Sequence, residues 1–154
     1  RLESDGTNWF ATVAAPTAGG AASSNTASFG TNDPVLSYKE PRFVTTDATP
    51  VDCSVAQYNM PDLTAADVLV KVIGKQAASA LFFAGDFRVR VTRNGGAPAF
   101  GTLIPGSNQV ALGAAAVTIT NPSGNLVSPH VVGVAATNIT WSVIMTVQPV
   151  TSAT

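Results

Sequence analysis

The sequence predicts an all-β protein, an antiparallel, jelly-roll-like β-sandwich preceded by an extended N-terminal arm. Turn residues recur about every 8–12 positions between short apolar or alternating stretches, which is typical of sandwiches. No stretch has the apolar periodicity of an amphipathic helix. Residues 138–147 alternate, with one exception at Ile144, and large apolar side chains lie on one face, as in a strand that covers a core.

Composition favours one domain that associates with other chains. The 154 residues suffice for a single domain with an appendage, and only 11% are charged, against about 25% in typical soluble domains. A surface with so few charges predicts burial in subunit contacts. The net charge of −1 argues against a nucleic-acid partner, because binding nucleic acid requires clustered Lys and Arg side chains. Apolar runs stay below the roughly 18 residues of a transmembrane helix, so no membrane insertion is expected.

The N-terminal part divides into two predicted segments. Residues 1–13 read as the end of an upstream hairpin or an anchor strand, in which Ser4–Asn8 turns and Trp9–Val13 forms a strand. Residues 14–42 are rich in Ala, Gly, Ser and Thr and have no hydrophobic period. They are predicted to be an extended arm that clasps a neighbouring subunit, or a simple linker. The start at Arg1 rather than Met is compatible with a piece of a longer chain.

Residues 43–150 are predicted to form the sandwich, and residues 151–154 a short tail. The first half gives a strand near Phe43, a turn at residues 47–50, an alternating strand at Val51–Ala56 and a turn at Asn59–Asp62. Thr64–Asp67 is either a single helical turn or the lead into the strand Val68–Gly74.

The second half begins with an ambiguous stretch, Gln76–Phe83. We favour a strand that runs on into the alternating Asp86–Arg93, with Gly85 as a bulge or bend. Asn94–Gly96 is a hairpin turn signal. Three further strands with intervening turns at 105–108 and 121–125 are predicted at Phe100–Ile104, Ala116–Thr120 and Val131–Val134.

The last strand carries the clearest pattern. One face holds Ile139, Trp141, Val143, Met145 and Val147, while the other is polar except for Ile144. Trp141 is therefore predicted to lie in the core. Pro149 lacks a backbone donor and is expected to help end the ladder.

No catalytic constellation is present in the sequence. His130 is the one histidine and Cys53 the one cysteine, so neither a nucleophile–base pair nor a set of metal ligands can be assembled. The protein is predicted not to be an enzyme and to have no catalytic, cofactor-binding or metal-binding residues. His130, which follows Pro129 at a predicted strand start, is expected to be structural or at a subunit contact. Cys53 is expected to be a small core residue.

Basic side chains on two strands suggest one surface feature. Arg88, Arg90 and Lys71 are predicted to share a solvent face, where Asp67 or Asp86 balances their charge. The alternative is that these bases bind an anionic surface glycan. Four aromatic residues could stack on sugar rings, although Trp141 fits the core better: Trp9, Tyr38, Tyr58 and Trp141.

Two motifs bracket most of the predicted sandwich. Thr45–Pro50 reads TTDATP and Asn138–Trp141 reads NITW, and between them lie a long strand pair at Val70–Arg93 and the segment GNLV at 124–127. Over residues 44–150 the chain resembles a β-sandwich domain of tailed-bacteriophage structural proteins. It departs from that domain at Lys75–Ser79, where a charged, glycine-studded segment is often found. Separately, residues 2–10 are similar to the closing hairpin of phage fibre and spike modules.

The resemblance implies a non-enzymatic virion protein, as a homotrimer, whose partners are its own copies and other virion proteins. A host surface glycan is a further expected partner, and neither nucleic acid nor membrane insertion is implied. A tail-fibre or appendage module for assembly or host attachment is the first expectation. A capsid decoration (cement) protein that stabilises the head is the second. A secreted carbohydrate-binding module is the third, and it requires an exposed aromatic platform.

Overall fold

The structure is a computed structural model that describes residues 2–4, 9–11 and 35–151. These residues form strands, turns and loops, and every strand pair among them is antiparallel. The predicted all-β, antiparallel fold class is confirmed. Within these ranges there is no helix long and apolar enough to cross a membrane.

The strands are numbered in chain order. They are β1 Leu2–Ser4, β2 Trp9–Ala11, β3 Leu36–Lys39, β4 Phe43–Thr45, β5 Pro50–Asp52, β6 Tyr58–Asn59, β7 Thr64–Gln76, β8 Phe82–Arg93, β9 Ala99–Phe100, β10 Ile104–Pro105, β11 Ala116–Thr120, β12 Leu126–Val132 and β13 Ile139–Thr151.

Two sheets make up the sandwich. The larger sheet has the order β10-β8-β7-β13-β3, and β4 also pairs with β13 while β9 pairs with β8. The smaller sheet has the order β11-β12-β5, and β6 also pairs with β12. A separate two-stranded ladder joins β1 and β2, with Ser4 opposite Trp9.

The long strands form because apolar and polar residues alternate along them. In β7, β8 and β13, every second side chain is buried, and the register places the buried positions of neighbouring strands opposite each other. These side chains and the inward residues of the smaller sheet share one hydrophobic core, which includes Val68, Val70, Val89, Val91, Val117, Val127, Val131, Val143, Met145 and Val147. Trp141 is 0% exposed, as predicted.

The connection between β7 and β8 differs from the prediction. Thr64 begins β7, so Thr64–Asp67 is the lead into the strand and not a helical turn. Gln76–Phe83 is not a continuous strand, because the chain reverses between Gln76 and Phe82. The Gln76 N–H donates to the Leu81 carbonyl at 3.1 Å, and Ala78 takes a left-handed φ of 51°. The turn lacks Gly, Pro and Asn, which is why its sequence did not indicate it.

The predicted bulge or bend at Gly85 is wrong. The ladder between β7 and β8 continues without interruption through Val72 opposite Gly85. A Cβ at this position would collide with the Gln109 side chain and lie 2.8 Å from the Phe87 ring. Glycine is therefore needed for the close approach of a neighbouring segment, and the strand itself is regular.

The strands after the Asn94–Gly96 turn differ in their bounds. That turn joins β8 to β9, as predicted, and the Asn121–Asn125 turn joins β11 to β12. The predicted strand Phe100–Ile104 is divided into β9 and β10, and the predicted strand Val131–Val134 begins earlier as β12. Pro129 and His130 consequently lie inside β12 instead of at a strand start.

Pro149 does not end the last ladder. It lies opposite Ala66, and the pairing with β7 continues to Thr151 opposite Thr64. On its other side, β13 pairs with β3 only as far as Val147. A proline is tolerated where its missing N–H can face a side without a ladder.

Part of the predicted arm belongs to the larger sheet. Within residues 14–42, β3 pairs with residues 144–147 of β13. Residues 12–34 lie outside the described ranges, so the choice between clasp and linker stays a prediction. The turn expected at residues 5–8 also lies outside them.

Candidate functional site

The two motifs that bracket the sandwich meet in the core. Trp141 of the NITW segment donates its indole Nε1–H to Oγ1 of Thr45 in the TTDATP segment at 2.8 Å, across 96 residues of sequence. Both side chains are buried. An indole N–H buried without an acceptor would be costly, so Thr45 fixes the position of the ring.

Two glycines make room for this contact. Gly74 lies opposite Trp141 in the ladder, and a Cβ there would be 2.6 Å from the Cζ3 atom of the ring. At Gly133, a Cβ would collide with Oγ1 of Thr45 and with the Asp47 carbonyl. The bracketing motifs are therefore elements of the fold that close the sandwich.

A buried carboxylate joins the two sheets. Glu40 is 8% exposed and accepts hydrogen bonds from the N–H groups of Val55 and Ala56 at 2.8 and 2.7 Å.

Burial, with the nearby Glu40 and Asp52 carboxylates, raises the pKa of the Cys53 thiol to about 12. The thiol is neutral at physiological pH, and the prediction that Cys53 is a core residue is confirmed.

His130 lies on the outer face of the smaller sheet, opposite Asp52 in the ladder. Its Nδ1 is 3.5 Å from Oδ1 of Asp52, which also accepts a hydrogen bond from the Thr120 hydroxyl. The nearby Ser128 hydroxyl donates instead to backbone carbonyls. This arrangement pairs a histidine with a carboxylate but gives it no nucleophile to activate.

Metal ligands are not clustered in the part of the chain that the structure describes. There, no group of three or more His, Cys, Asp or Glu residues is close enough to hold an ion.

The outward face of the larger sheet has a different character. Lys39, Ile144, Lys71 and Asp86 follow one another across β3, β13, β7 and β8, and directly opposed residues point to the same side. Arg88 and Arg90 occupy the next outward positions of β8. The predicted shared solvent face of Lys71, Arg88 and Arg90 is confirmed.

We call this surface the cationic face. Among the described residues, six bases against two carboxylates belong to it or border it: Lys39, Arg42, Lys71, Lys75, Arg88 and Arg90, with Asp67 and Asp86. Three of the six, Lys71, Arg88 and Arg90, are those predicted from the sequence. The others come from β3, from the loop after it and from the end of β7, and only the register brings them together.

Asp67 holds one of these bases in place. Nε of Arg88 donates to the two carboxylate oxygens at 2.7 and 2.8 Å, and Nη2 lies 2.6 Å from Oδ2. This hydrogen bonding, with the attraction of the opposite charge, raises the pKa of Arg88. Asp67 thus balances charge as predicted, and Asp86 lies directly opposite Lys71.

Shallow depressions cross the cationic face. One of about 330 Å³ is lined by Lys71, Ile73, Asp86, Asn108, Ser142 and Ile144. A second of about 330 Å³ lies around Arg88, Arg90, Thr102 and Ile104. A third, of about 280 Å³, includes Arg42, Lys75 and Thr140 and shares Ile73 and Ser142 with the first. Ile73 is 57% exposed and Ile144 36%, so the floor between the charges is apolar.

The aromatic residues considered for sugar stacking lie elsewhere. Trp141 and Tyr58 are buried, and Tyr38 is half-buried with its ring centroid 6.2 Å from that of Tyr58. Trp9 belongs to β2, for which only the backbone pairing is described. These three described rings therefore pack in or against the core.

Comparison with known proteins gives few matches. No protein-family model matches the chain, and no curated protein matches it. Among solved structures, the chain is similar to the tailspike protein of Acinetobacter phage vB_ApiP_P1, with 22% sequence identity and a TM-score of 0.39. The match covers 85% of this chain and 24% of the tailspike, so the chain spans about a quarter of that protein's length.

Proposed function

We propose that this protein is a bacteriophage virion component, a tail-fibre or other tail-appendage module that serves assembly or host attachment. One observation supports the proposal most: the motifs at the two ends of the phage-like pattern meet in the hydrogen bond between Thr45 and Trp141. Short motifs that matched by chance would have no reason to meet across 96 residues.

The contacts also explain why each motif has its residues. The first motif supplies the Thr45 acceptor and a turn in which the Asp47 carboxylate accepts the Thr49 N–H at 2.7 Å. The second supplies the indole that fills the space above Gly74. The pattern specifies one way of closing a sandwich, which supports common architecture with the phage proteins that it resembles.

A non-enzymatic role is part of the proposal. Two of the carboxylates have structural partners: Glu40 accepts hydrogen bonds from two backbone amides, and Asp67 accepts them from Arg88. The Cys53 thiol, with a pKa of about 12, is a poor nucleophile. We further propose that the chain forms a homotrimer and contacts other virion proteins, because 11% of charged residues is low for a fully solvated surface.

The test is antibody–gold labelling of intact particles of the phage that encodes the chain, observed by negative-stain electron microscopy. Gold on the tail or its fibres is expected, and prior incubation of the antibody with purified chain should abolish it. Gold spread over the head would contradict the tail-appendage role and indicate a capsid decoration protein. Particles without specific label would overturn the proposal that the protein is a virion component. Light scattering tests the trimer, since the mass of a single chain at micromolar concentration would contradict it.

A further inference from the structure

We propose that the cationic face binds an acidic polysaccharide, a polymer whose sugars carry carboxylate groups. The identification of that polymer with the surface of a host cell rests on the proposed function. The binding itself is argued from the chemistry of the face.

Positive and negative charges are separated on the molecule. The cationic face has a formal excess of four positive charges, from six bases and two carboxylates. Among residues 35–151, the other charged residues are Arg93 against Glu40, Asp47, Asp52 and Asp62, a formal excess of three negative charges. A chain with a net charge of −1 thus has one strongly basic side. Such a field attracts a polyanion and orients the protein toward it.

The basic side chains are arranged so that they can bind carboxylates. Arg88 and Arg90 are alternate residues of one strand, so their backbones are about 7 Å apart on the same side. Asp67 fixes the Arg88 guanidinium through Nε and Nη2, which reduces the conformational entropy that binding would remove. A guanidinium has five N–H donors, so others remain for a ligand carboxylate.

The surface between the basic side chains offers both apolar contact and hydrogen bonds. Ile73 and Ile144 offer apolar contact to the faces of sugar rings, while Asn108, Thr140 and Ser142 offer hydrogen bonds to hydroxyl groups. The depressions are shallow and adjoin one another, which suits a polymer lying across the sheet. A small ligand would instead need a cavity that encloses most of its surface.

A second copy of the chain fits this face poorly. Face-to-face packing of two copies would place six bases against six bases, and like charges in an interface are costly. An acidic polymer would instead bring negative carboxylates to these positive side chains, so that the interaction is attractive. Nucleic acid is the other polyanion, and the experiment distinguishes it.

The experiment measures binding of the purified chain to alginate, a polymer of uronic acids, by biolayer interferometry at low salt. Binding that weakens as salt rises is expected, with no binding to the neutral polymer dextran. The variant Lys71→Gln/Arg88→Gln/Arg90→Gln should bind alginate about tenfold more weakly or worse, because the steering field is lost. If this variant does not fold, the single variants Lys71→Gln and Arg90→Gln should each weaken binding about threefold.

The matched control changes the net charge equally in loops that flank the strands of the smaller sheet. Ala114→Glu/Ser123→Glu/Ala135→Glu also lowers the charge by three, at exposed positions outside the cationic face. Its affinity should change by less than about threefold, because screening limits the reach of distant charges. Equal losses in the two triple variants would mean that only net charge matters, which overturns the site.

Two further outcomes are decisive. Single-stranded DNA that binds more tightly than alginate would overturn the choice of a polysaccharide. Absence of alginate binding together with gold on phage tails would overturn this inference and leave the proposed function standing. Alginate binding without virion labelling would overturn the proposed function and leave the binding of an acidic polysaccharide standing.

Discussion

The two faces of the larger sheet are built from the same strands and differ in almost every property. On the inner face of β13, Trp141, Val143 and Met145 are 0% exposed and belong to the core. On the outer face, Ile144 is 36% exposed among bases and hydroxyl groups. Because side chains alternate between the two faces of a strand, the same strands supply the core with one set of residues and the surface chemistry with the other. Substitutions at neighbouring positions should therefore have unlike effects.

The largest difference is expected at Trp141. Trp141→Ala should lower the free energy of unfolding by about 3–5 kcal/mol, because it leaves a large cavity beside Gly74 and removes the donor to Thr45. The control on the outer face of the same strand, Ile144→Ala, should cost less than about 1 kcal/mol. Urea denaturation of both variants measures the contrast, and equal losses would remove the distinction between the faces.

A smaller effect is expected where the backbone approaches closely. Gly133→Ala should cost about 1–3 kcal/mol, because its Cβ would press on the Asp47 carbonyl and the Thr45 side chain. At Gly96, an added Cβ meets nothing within 4 Å, so Gly96→Ala should change stability by less than about 0.5 kcal/mol. Thermal denaturation compares the two. A Gly133 variant as stable as the Gly96 variant would contradict the close approach.

The smallest difference is expected between a buried carboxylate, Glu40, and a carboxylate on the cationic face, Asp86. Glu40→Gln keeps an oxygen acceptor for Val55 and Ala56 but removes its charge, and should cost about 1 kcal/mol. Asp86→Asn makes the same change opposite Lys71 on the cationic face and should cost less than about 0.5 kcal/mol. Denaturation at neutral pH tests the pair, and a larger loss for Asp86→Asn would reverse the assignment of the two environments.

Sequence reasoning succeeded where information is local. Alternation in residues 139–147 indicated the buried face of β13, and Asn94–Gly96 indicated a hairpin, since each signal lies within a few residues. It failed at Gly85, whose reason is the Gln109 side chain contributed by a distant segment. It also failed at residues 77–81, where the turn lacks Gly, Pro and Asn and follows from the pairing of β7 and β8.

The candidate site shows the same limit. Arg88 and Arg90 share a face by strand periodicity alone, and Lys71 was added by assuming that β7 pairs with β8. Lys39 and Arg42 could not be placed, because β3 reaches the face only by pairing with residues about one hundred positions later. Local periodicity defines the side of a strand, whereas long-range register defines which strands share a surface.

The position of β13 has a consequence for the order of events in folding. It is the last described strand, yet it lies between β7 on one side and β3 and β4 on the other. During synthesis the β7–β8 hairpin can form early, while β3 and β4 have no partner in the larger sheet until β13 emerges. Pairing over such sequence distances is slow and leaves apolar edges exposed meanwhile. The sheet is therefore completed only when the chain has been made through residue 151, because the strand that joins β7 to β3 and β4 is synthesised after all three.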